Sequence, residues 1–226
     1  MLLLITDTSG KQGSVALARA GERDRNDAGV IEVAPLAGGA FSAQLVPQIA
    51  ALLARHRLSK ADIDAFIVVS GPGSFTGLRV GLAAIKALAE ILKKPIVPVS
   101  LLEVVALAGK ARGKVAALLD AGRGDVYFGA YEIEGDSVQV LQEQLLSKAE
   151  FLSAARDSTV VIPDPSWAAV ARDAGLSVVA CQPPSAGMIT RIGLQKLQAG
   201  ETVSPEQLEA NYMRRSDAEW FAKPSC

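Results

Sequence analysis

An α/β fold of two topologically equivalent halves, each a mixed sheet covered by helices, is the prediction for this chain of 226 residues. Three observations carry it. Short β-branched runs alternate with longer stretches of helical composition. The order strand-strand-strand-helix-strand-helix-strand-helix occurs once before residue 110 and again after it. Glycine-rich turns fall at junctions where the backbone must adopt conformations that a Cβ disfavours. Three meandering strands followed by helix-linked strands require antiparallel and parallel pairing in one sheet, with helices on its faces.

The first half opens with strands Met1–Asp7 and Ser14–Arg19 around the turn Thr8-Ser9-Gly10-Lys11-Gln12-Gly13. A third strand follows at Val30–Leu36, then a helix within Ser42–Arg57, where Pro47 fits only the first turn or a kink. Ala65–Ser70 holds the continuous apolar run of a fully buried strand. Helix Leu78–Lys93, strand Pro95–Val99 and a short helix near Leu101–Gly109 complete the half. The polar segment Gly109-Lys110-Ala111-Arg112-Gly113-Lys114 is read as the boundary, giving domains 1–109 and 110–226. The second half repeats the order: strands Val115–Asp120, Val126–Glu132 and Val138–Leu145, then helix Lys148–Ala155. Strand Thr159–Ile162, helix Trp167–Ala174, strand Ser177–Ala180 and helix Met188–Ala199 follow. Side-chain identity between the halves is low, so the repeat is one of topology.

Composition narrows the function. Half the residues are hydrophobic and 21% are charged, which suits a globular domain with an ample core. Lys and Arg number 23 against 24 Asp and Glu, for a net charge of −1. Gripping nucleic acid by its phosphates demands a basic excess, so any such contact is expected to be indirect. No run of apolar residues is long enough to span a membrane, and the opening Met-Leu-Leu-Leu-Ile-Thr-Asp lacks the length and basic flank of a secretion signal. Cys181 and Cys226 lie far apart and read as reduced thiols. A soluble, cytoplasmic protein is expected.

The most informative stretch is Ser-Gly-Pro-Gly-Ser-Phe-Thr-Gly-Leu-Arg-Val-Gly, residues 70–81, which joins the buried strand to an apolar helix. Its glycines Gly71, Gly73 and Gly77, with the hydroxyls Ser70, Ser74 and Thr76, form a loop able to aim N–H groups at an anion above a helix start. The same residues equally suit a structural strand-to-helix turn, with Ser74 and Thr76 capping the helix. The spacing matches neither the P-loop nor the dinucleotide fingerprint.

Two such halves are the plan of the actin-like ATPase and sugar-kinase superfamily, whose facing hairpins grip the phosphates of ATP. Asp7 and Asp120 end the first strand of each half, in turns Asp-Thr-Ser-Gly-Lys-Gln-Gly-Ser and Asp-Ala-Gly-Arg-Gly-Asp. Paired carboxylates across a cleft would hold a metal–phosphate or serve as general base; the alternative is a pair of turn-stabilising Asp residues. The stretch where the superfamily places a Gly-Gly adenosine clamp reads Val160-Val161-Ile162-Pro163-Asp164-Pro165-Ser166-Trp167, and prolines do not replace glycines beneath a ligand. His56, flanked by Arg55 and Arg57, is the single histidine and reads as a solvated side chain at a helix C-terminus. A metal hydrolase needs several N or S ligands, and no base is near the loop hydroxyls. Metal and nucleophilic chemistry are therefore not expected, Arg123-Gly124-Asp125 is read as a chance tripeptide, and Cys181 as core.

The loop 70–81 closely resembles the signature of the TsaB (YeaZ) family, and the resemblance covers nearly the whole chain. Leu-Leu-Ile-Thr-Asp-Thr-Ser at residues 3–9 resembles the family's first hairpin, and residues 118–131 its second, with Asp120, Arg123, Val126 and Tyr127 at matching positions. Residues 211–219, Asn-Tyr-Met-Arg-Arg-Ser-Asp-Ala-Glu, resemble the family's C-terminal element. One departure is Phe41-Ser42, where family members often carry His-Ser; Ser42 remains as a helix cap.

The resemblance implies an actin-like fold and a non-catalytic subunit in the making of threonylcarbamoyladenosine in tRNA. It implies that TsaD transfers the threonylcarbamoyl group to the adenosine following the anticodon, while this subunit holds TsaD in a competent arrangement and helps recruit the ATPase TsaE. No cofactor is required of such a chain, although the cleft is expected to retain a vestigial nucleotide site at Asp7, Asp120 and the loop. Family members pair with TsaD through two helices, and both helices here have excess apolar surface. Leu78, Leu82, Ile85, Ala89 and Leu92 form one stripe, with Val80, Ala84, Ala87 and Ile91 roughly opposite, since two residues turn a helix by about 200°. In the preceding helix Leu45, Ile49 and Leu52 form a stripe beside Val46, Ala50 and Leu53. The interface is assigned to Leu45, Ile49, Leu52, Leu78, Leu82, Ile85 and Ala89, with simple burial as the competing reading. The alternatives are an actin-like small-molecule kinase using Asp7 and Asp120, and a homodimer built on the same helices.

Overall fold

The computed structural model describes residues 1–21, 28–135 and 137–214. Two five-stranded mixed sheets carry the chain. In the first, β1 (Leu2–Asp7) pairs antiparallel with β2 (Gly13–Ala20), which pairs antiparallel with β3 (Ala28–Leu36). On its other side β1 runs parallel to β4 (Ala65–Gly71), and β4 parallel to β5 (Ile96–Ser100), giving the order β3-β2-β1-β4-β5. The second sheet repeats this arrangement with β6 (Gly113–Gly122), β7 (Asp125–Glu134), β8 (Ser137–Ser147), β9 (Thr159–Ile162) and β10 (Ser177–Ala180), in the order β8-β7-β6-β9-β10. Helices α1 (Phe41–Arg55), α2 (Phe75–Leu92) and α3 (Leu101–Ala108) belong to the first series; α4 (Lys148–Ala154), α5 (Pro165–Asp173) and α6 (Ala186–Gln198) to the second. The doubled topology read from the sequence is the observed one.

The central strands explain the apolar runs. Leu2, Leu3, Leu4 and Ile5 of β1, and Phe66, Ile67, Val68 and Val69 of β4, are all buried because helices cover both faces of this sheet. On one face Leu4, Val15, Leu17, Phe66 and Val68 pack with Leu45, Ile49 and Leu52 of α1 and Leu82, Ile85 and Ala89 of α2. On the opposite face lies Ile67, whose side chain fills the space a Cβ would need at Gly193 of α6, 2.5 Å away.

That contact alters the expected division at residue 109. The compact units are Met1–Val104 with Pro184–Asn211, and Val105–Pro183 with residues 212–214. Helix α6, last in the second series, packs on the first sheet because only an apolar helix there can keep the second face of β1 and β4 from water. The following segment stays with it: Val203 N–H donates to Ile96 O at 2.9 Å, and Asn211 N–H to Ser70 O at 2.8 Å.

Several local readings are corrected. Helix α1 begins at Phe41, with Ala40 at its N-cap and no side-chain cap, so Ser42 is inside the helix. Pro47 also lies inside α1, in its second turn. Ser74 caps α2, its Oγ accepting from Gly77 N–H at 3.3 Å, while Thr76 is an exposed residue of the first turn. His56 lies with Nε2 2.7 Å from Glu32 Oε2, and Arg55 pairs with the other oxygen at 2.7 Å. Hydrogen bonds first from Arg55 and then from His56 hold the Glu32 carboxyl below its ordinary range.

Thr6 is fully buried in β1, and its Oγ1 is without a hydrogen-bond partner. A buried orphan hydroxyl costs about 1–3 kcal/mol. Thr6→Val, which keeps the shape, is expected to raise stability by about 1 kcal/mol, read as a higher urea midpoint with an unchanged slope.

Candidate functional site

The signature loop is built onto the corner that follows β1. Asp7 Oδ1 accepts from Ser9 N–H at 2.9 Å and from Ser9 Oγ at 2.5 Å, which turns the chain back on itself. Thr8 and Ser9 are buried there. The loop's glycines make room for them. A Cβ on Gly73 would overlap Ser9 O, one on Gly77 would overlap Thr8 O, and one on Gly81 would overlap Thr8 Oγ1. Ser74 N–H donates to Ser9 O at 2.7 Å. Phe41 closes the corner from α1: its ring lies 2.9 Å from a Cβ built on Gly13 and 3.2 Å from one built on Gly77.

The other nominated residues of the loop are similarly occupied. Ser70 Oγ donates to Val99 O at 3.3 Å. Gly71 has φ +137°, open only to glycine, and a Cβ there would come within 2.8 Å of Asn211 O. The structure thus gathers Asp7, Gly73, Ser74 and Gly77 around Thr8 and Ser9 by backbone-to-backbone packing. Of the loop's nominated hydroxyls Ser70 is buried, while Ser74 and Thr76 are exposed.

Asp120 belongs to the other compact unit. Its Oδ1 accepts from Gly122 N–H at 3.1 Å and from the Trp167 indole Nε1 at 3.1 Å. Trp167 stands in the first turn of α5, where Asp164 caps the helix by accepting from Ser166 and Trp167 N–H groups. The proline-flanked stretch at residues 163–167 therefore supplies an indole to the carboxylate. Past Asp120 the hairpin turns through Gly122, Arg123 and Gly124, all at positive φ. Arg214 fastens this turn, donating to Gly122 O at 3.3 Å and pairing with Asp125 Oδ2 at 2.8 Å. Burial raises the nearby Tyr127 phenol, opposed by the Arg214 charge. Trp167 and Arg214 had no assigned partner in the sequence, because contacts 47 and 89 residues apart leave no periodic signal. Residues 215–219 of the C-terminal element, and Cys226, lie outside the described residues.

The stripes on α1 and α2 are resolved differently from the expectation. Leu45, Ile49, Leu52, Leu78, Leu82, Ile85 and Ala89 are each at most 5% exposed, within the chain's own core. The outward residues are their neighbours: Val46 is 54% exposed and Ile91 68%, and Ala50, Ala83 and Ala87 are exposed with them. Periodicity could not choose between two apolar stripes. Gly77 and Gly81 choose, because the side carrying them is the one able to approach Thr8 closely. Among the described residues no group of three His, Cys, Asp or Glu side chains is placed to hold a metal ion. Among the described residues, no helix is long and apolar enough to cross a membrane.

A doubled mixed sheet in this strand order, with a hairpin opening each half that carries Asp7 at the end of β1 and Asp120 two residues before the end of β6, defines an actin-like ATPase and sugar-kinase fold. The chain belongs to the TsaB (YeaZ) family within it. A family model described as "TsaD: tRNA N6-adenosine threonylcarbamoyltransferase" matches residues 29–186. The tRNA threonylcarbamoyladenosine biosynthesis protein TsaB of Bacillus subtilis is 32% identical over 154 residues, 67% of this chain and 65% of that one. TsaB of Haemophilus influenzae is 28% identical over 239 residues, 99% of this chain and 98% of its own. The solved structure of YeaZ from Pseudomonas aeruginosa superposes with a TM-score of 0.69 at 25% identity, covering 93% of this chain and 100% of that one.

Proposed function

We propose that this chain is a non-catalytic, TsaD-pairing subunit of the cytoplasmic machinery that makes threonylcarbamoyladenosine in tRNA. It docks through the outer faces of α1 and α2, holds TsaD in a competent arrangement and helps to recruit TsaE. The observation that carries this reading is the outward pair of helix faces. Val46, Ala50, Ala83, Ala87 and Ile91 expose apolar and small side chains on two neighbouring helices, where a partner helix can approach closely. A net charge of −1 fits an indirect role toward tRNA. The carboxylates of Asp7 and Asp120 are held by groups of their own units, which suits a vestigial rather than a working phosphate site.

Co-purification with TsaD from the same organism tests this, comparing wild type with Ala87→Glu. Ala87 is exposed, so the variant is expected to fold with an unchanged unfolding midpoint while losing the complex. A wild-type chain that forms no complex with TsaD would overturn the reading.

A further inference from the structure

We infer that the outer edge of β8 pairs antiparallel with the same edge of a second copy of this chain, about a two-fold axis near Gln142, and so forms a homodimer. β8 belongs to the compact unit that does not hold α1 and α2, so this surface owes nothing to the TsaD docking face proposed above.

β8 ends its sheet, and among the described residues no strand lies beyond it. An edge strand turns the N–H and C=O groups of alternate residues outward, and a bare edge is a template for another strand. The other three edges of the two sheets are guarded. β10 has four residues. β5 has five, carries Pro98, and is bridged by Val203, antiparallel to Ile96. β3 carries Pro35 and the charged Glu32. β8 has eleven residues, with neither proline nor lysine. Its one irregularity is a bulge at Leu141, which has no partner on β7. Val140 and Leu141 are 51% and 52% exposed, so the bulge adds an apolar side chain to the edge rather than a charge.

The strand is complementary to itself. Glu143 is the only charged residue from Ser137 to Ser147, and its carboxylate accepts from the hydroxyl of the buried Tyr131 on β7. Full overlap of two antiparallel copies centres on Gln142, so position 143 meets 141 and the two glutamates are not opposed. Gln142 then faces its own counterpart, and an amide both donates and accepts. Charge completes the match at the ends. Overlap brings the β7–β8 turn of one copy, where Glu134 is exposed, to the other end of β8 in its partner, where Lys148 is exposed. Glu150 at that end is engaged in capping α4, accepting from Ser147 N–H at 2.9 Å and Ser147 Oγ at 2.6 Å. Symmetry supplies the Glu–Lys approach twice. The two-fold contact consumes both edges, so assembly stops at two chains.

Sedimentation equilibrium of the full chain, over about 1 µM to about 1 mM, covers the range in which a contact of modest area is populated. Wild type is expected to pass from one chain to two. Leu141→Lys sets a lysine into both edges and is expected to weaken the dimer about tenfold or more. Glu134→Lys is expected to weaken it about fivefold at low salt, and Glu134→Lys combined with Lys148→Glu to return it to within about twofold of wild type. Ala87→Glu, on α2, is expected to leave the dimer unchanged. Amide hydrogen exchange across residues 137–147 is expected to slow as wild type is concentrated, and not to slow in Leu141→Lys. Leu141, Glu134 and Lys148 are exposed, so unfolding midpoints are expected to match wild type. Should Leu141→Lys fail to fold, the exchanged Glu134–Lys148 pair carries the test. A wild type that stays a single chain throughout overturns the inference. So does a dimer that Ala87→Glu abolishes and Leu141→Lys leaves intact, or one that brings no protection to residues 137–147. Each of these outcomes leaves the TsaD reading untouched.

Discussion

Leu82→Glu is expected to unfold the first compact unit rather than to detach a partner from a folded chain. Leu82 is 5% exposed and packs among Leu4, Phe66, Val68 and Ile85. Removing its side chain costs about 2–5 kcal/mol in a comparable core. A carboxylate buried there without a partner adds several kcal/mol, or is protonated at a similar cost. The sum approaches the roughly 5–15 kcal/mol that holds an ordinary domain together. Loss of the near-ultraviolet circular dichroism signal, or expression only as aggregate, is the expected reading. Ile91→Glu is the matched comparison, because Ile91 is 68% exposed on the same helix, and it is expected to fold as wild type. A folded, monomer-stable Leu82→Glu protein would show that the core assignment of this stripe is wrong. Partner loss in Leu82→Glu alone therefore says nothing about the interface, and only substitutions on the outward stripe can map it.

The second large effect is expected at the signature loop. Gly77→Ala places a Cβ against Thr8 O, a backbone atom that cannot move without disturbing the end of β1. Alanine in place of glycine inside a helix ordinarily gains about 1 kcal/mol. The overlap is expected to reverse that sign, leaving a net loss of about 2–3 kcal/mol. Gly29→Ala is the control, since a Cβ there meets nothing within 4 Å and Gly29 is not at positive φ; it is expected to be neutral or slightly stabilising. Urea midpoints separate the two. A Gly77→Ala protein as stable as wild type would mean that the loop is not seated on the corner at Thr8.

These two results bear on why the loop looked like an anion cradle. A chain of glycines between a buried strand and a helix satisfies two different needs: close approach of a ligand, or close approach of the chain's own backbone. Both produce the same letters. In the structure Gly73 and Gly77 serve the second use, lying against Ser9 and Thr8 where a Cβ would overlap backbone atoms. The acidic residues followed the same course. Asp7 and Asp120 as counterparts in the two halves were legible from the topological repeat, with a turn-stabilising role as one of their two readings, but the engagement of Asp120 by Trp167 was not. Ser9 is two residues from Asp7 and was within reach of a local reading as an Asx turn. Trp167 is 47 residues from Asp120, and no local rule brings an indole to a distant carboxylate.

Local pattern determined the elements, their order and the doubled topology. Runs such as Phe66-Ile67-Val68-Val69 fit only a strand buried on both faces, and three strands before the first helix fit only a mixed sheet. The family was legible for a similar reason, since residues 70–81 form a contiguous string whose spacing survives without knowledge of the fold. Tertiary structure alone decided which stripe of α2 is core, that α6 returns to the first sheet, and that Arg214 fastens the β6–β7 turn to Asp125. The reason is physical. Hydrophobic periodicity records that a face avoids water but not what covers it. The choice of cover depends on shape and distance between segments far apart in the chain, as when Gly77 and Gly81 let α2 close upon Thr8 and turn Ala83 and Ala87 outward.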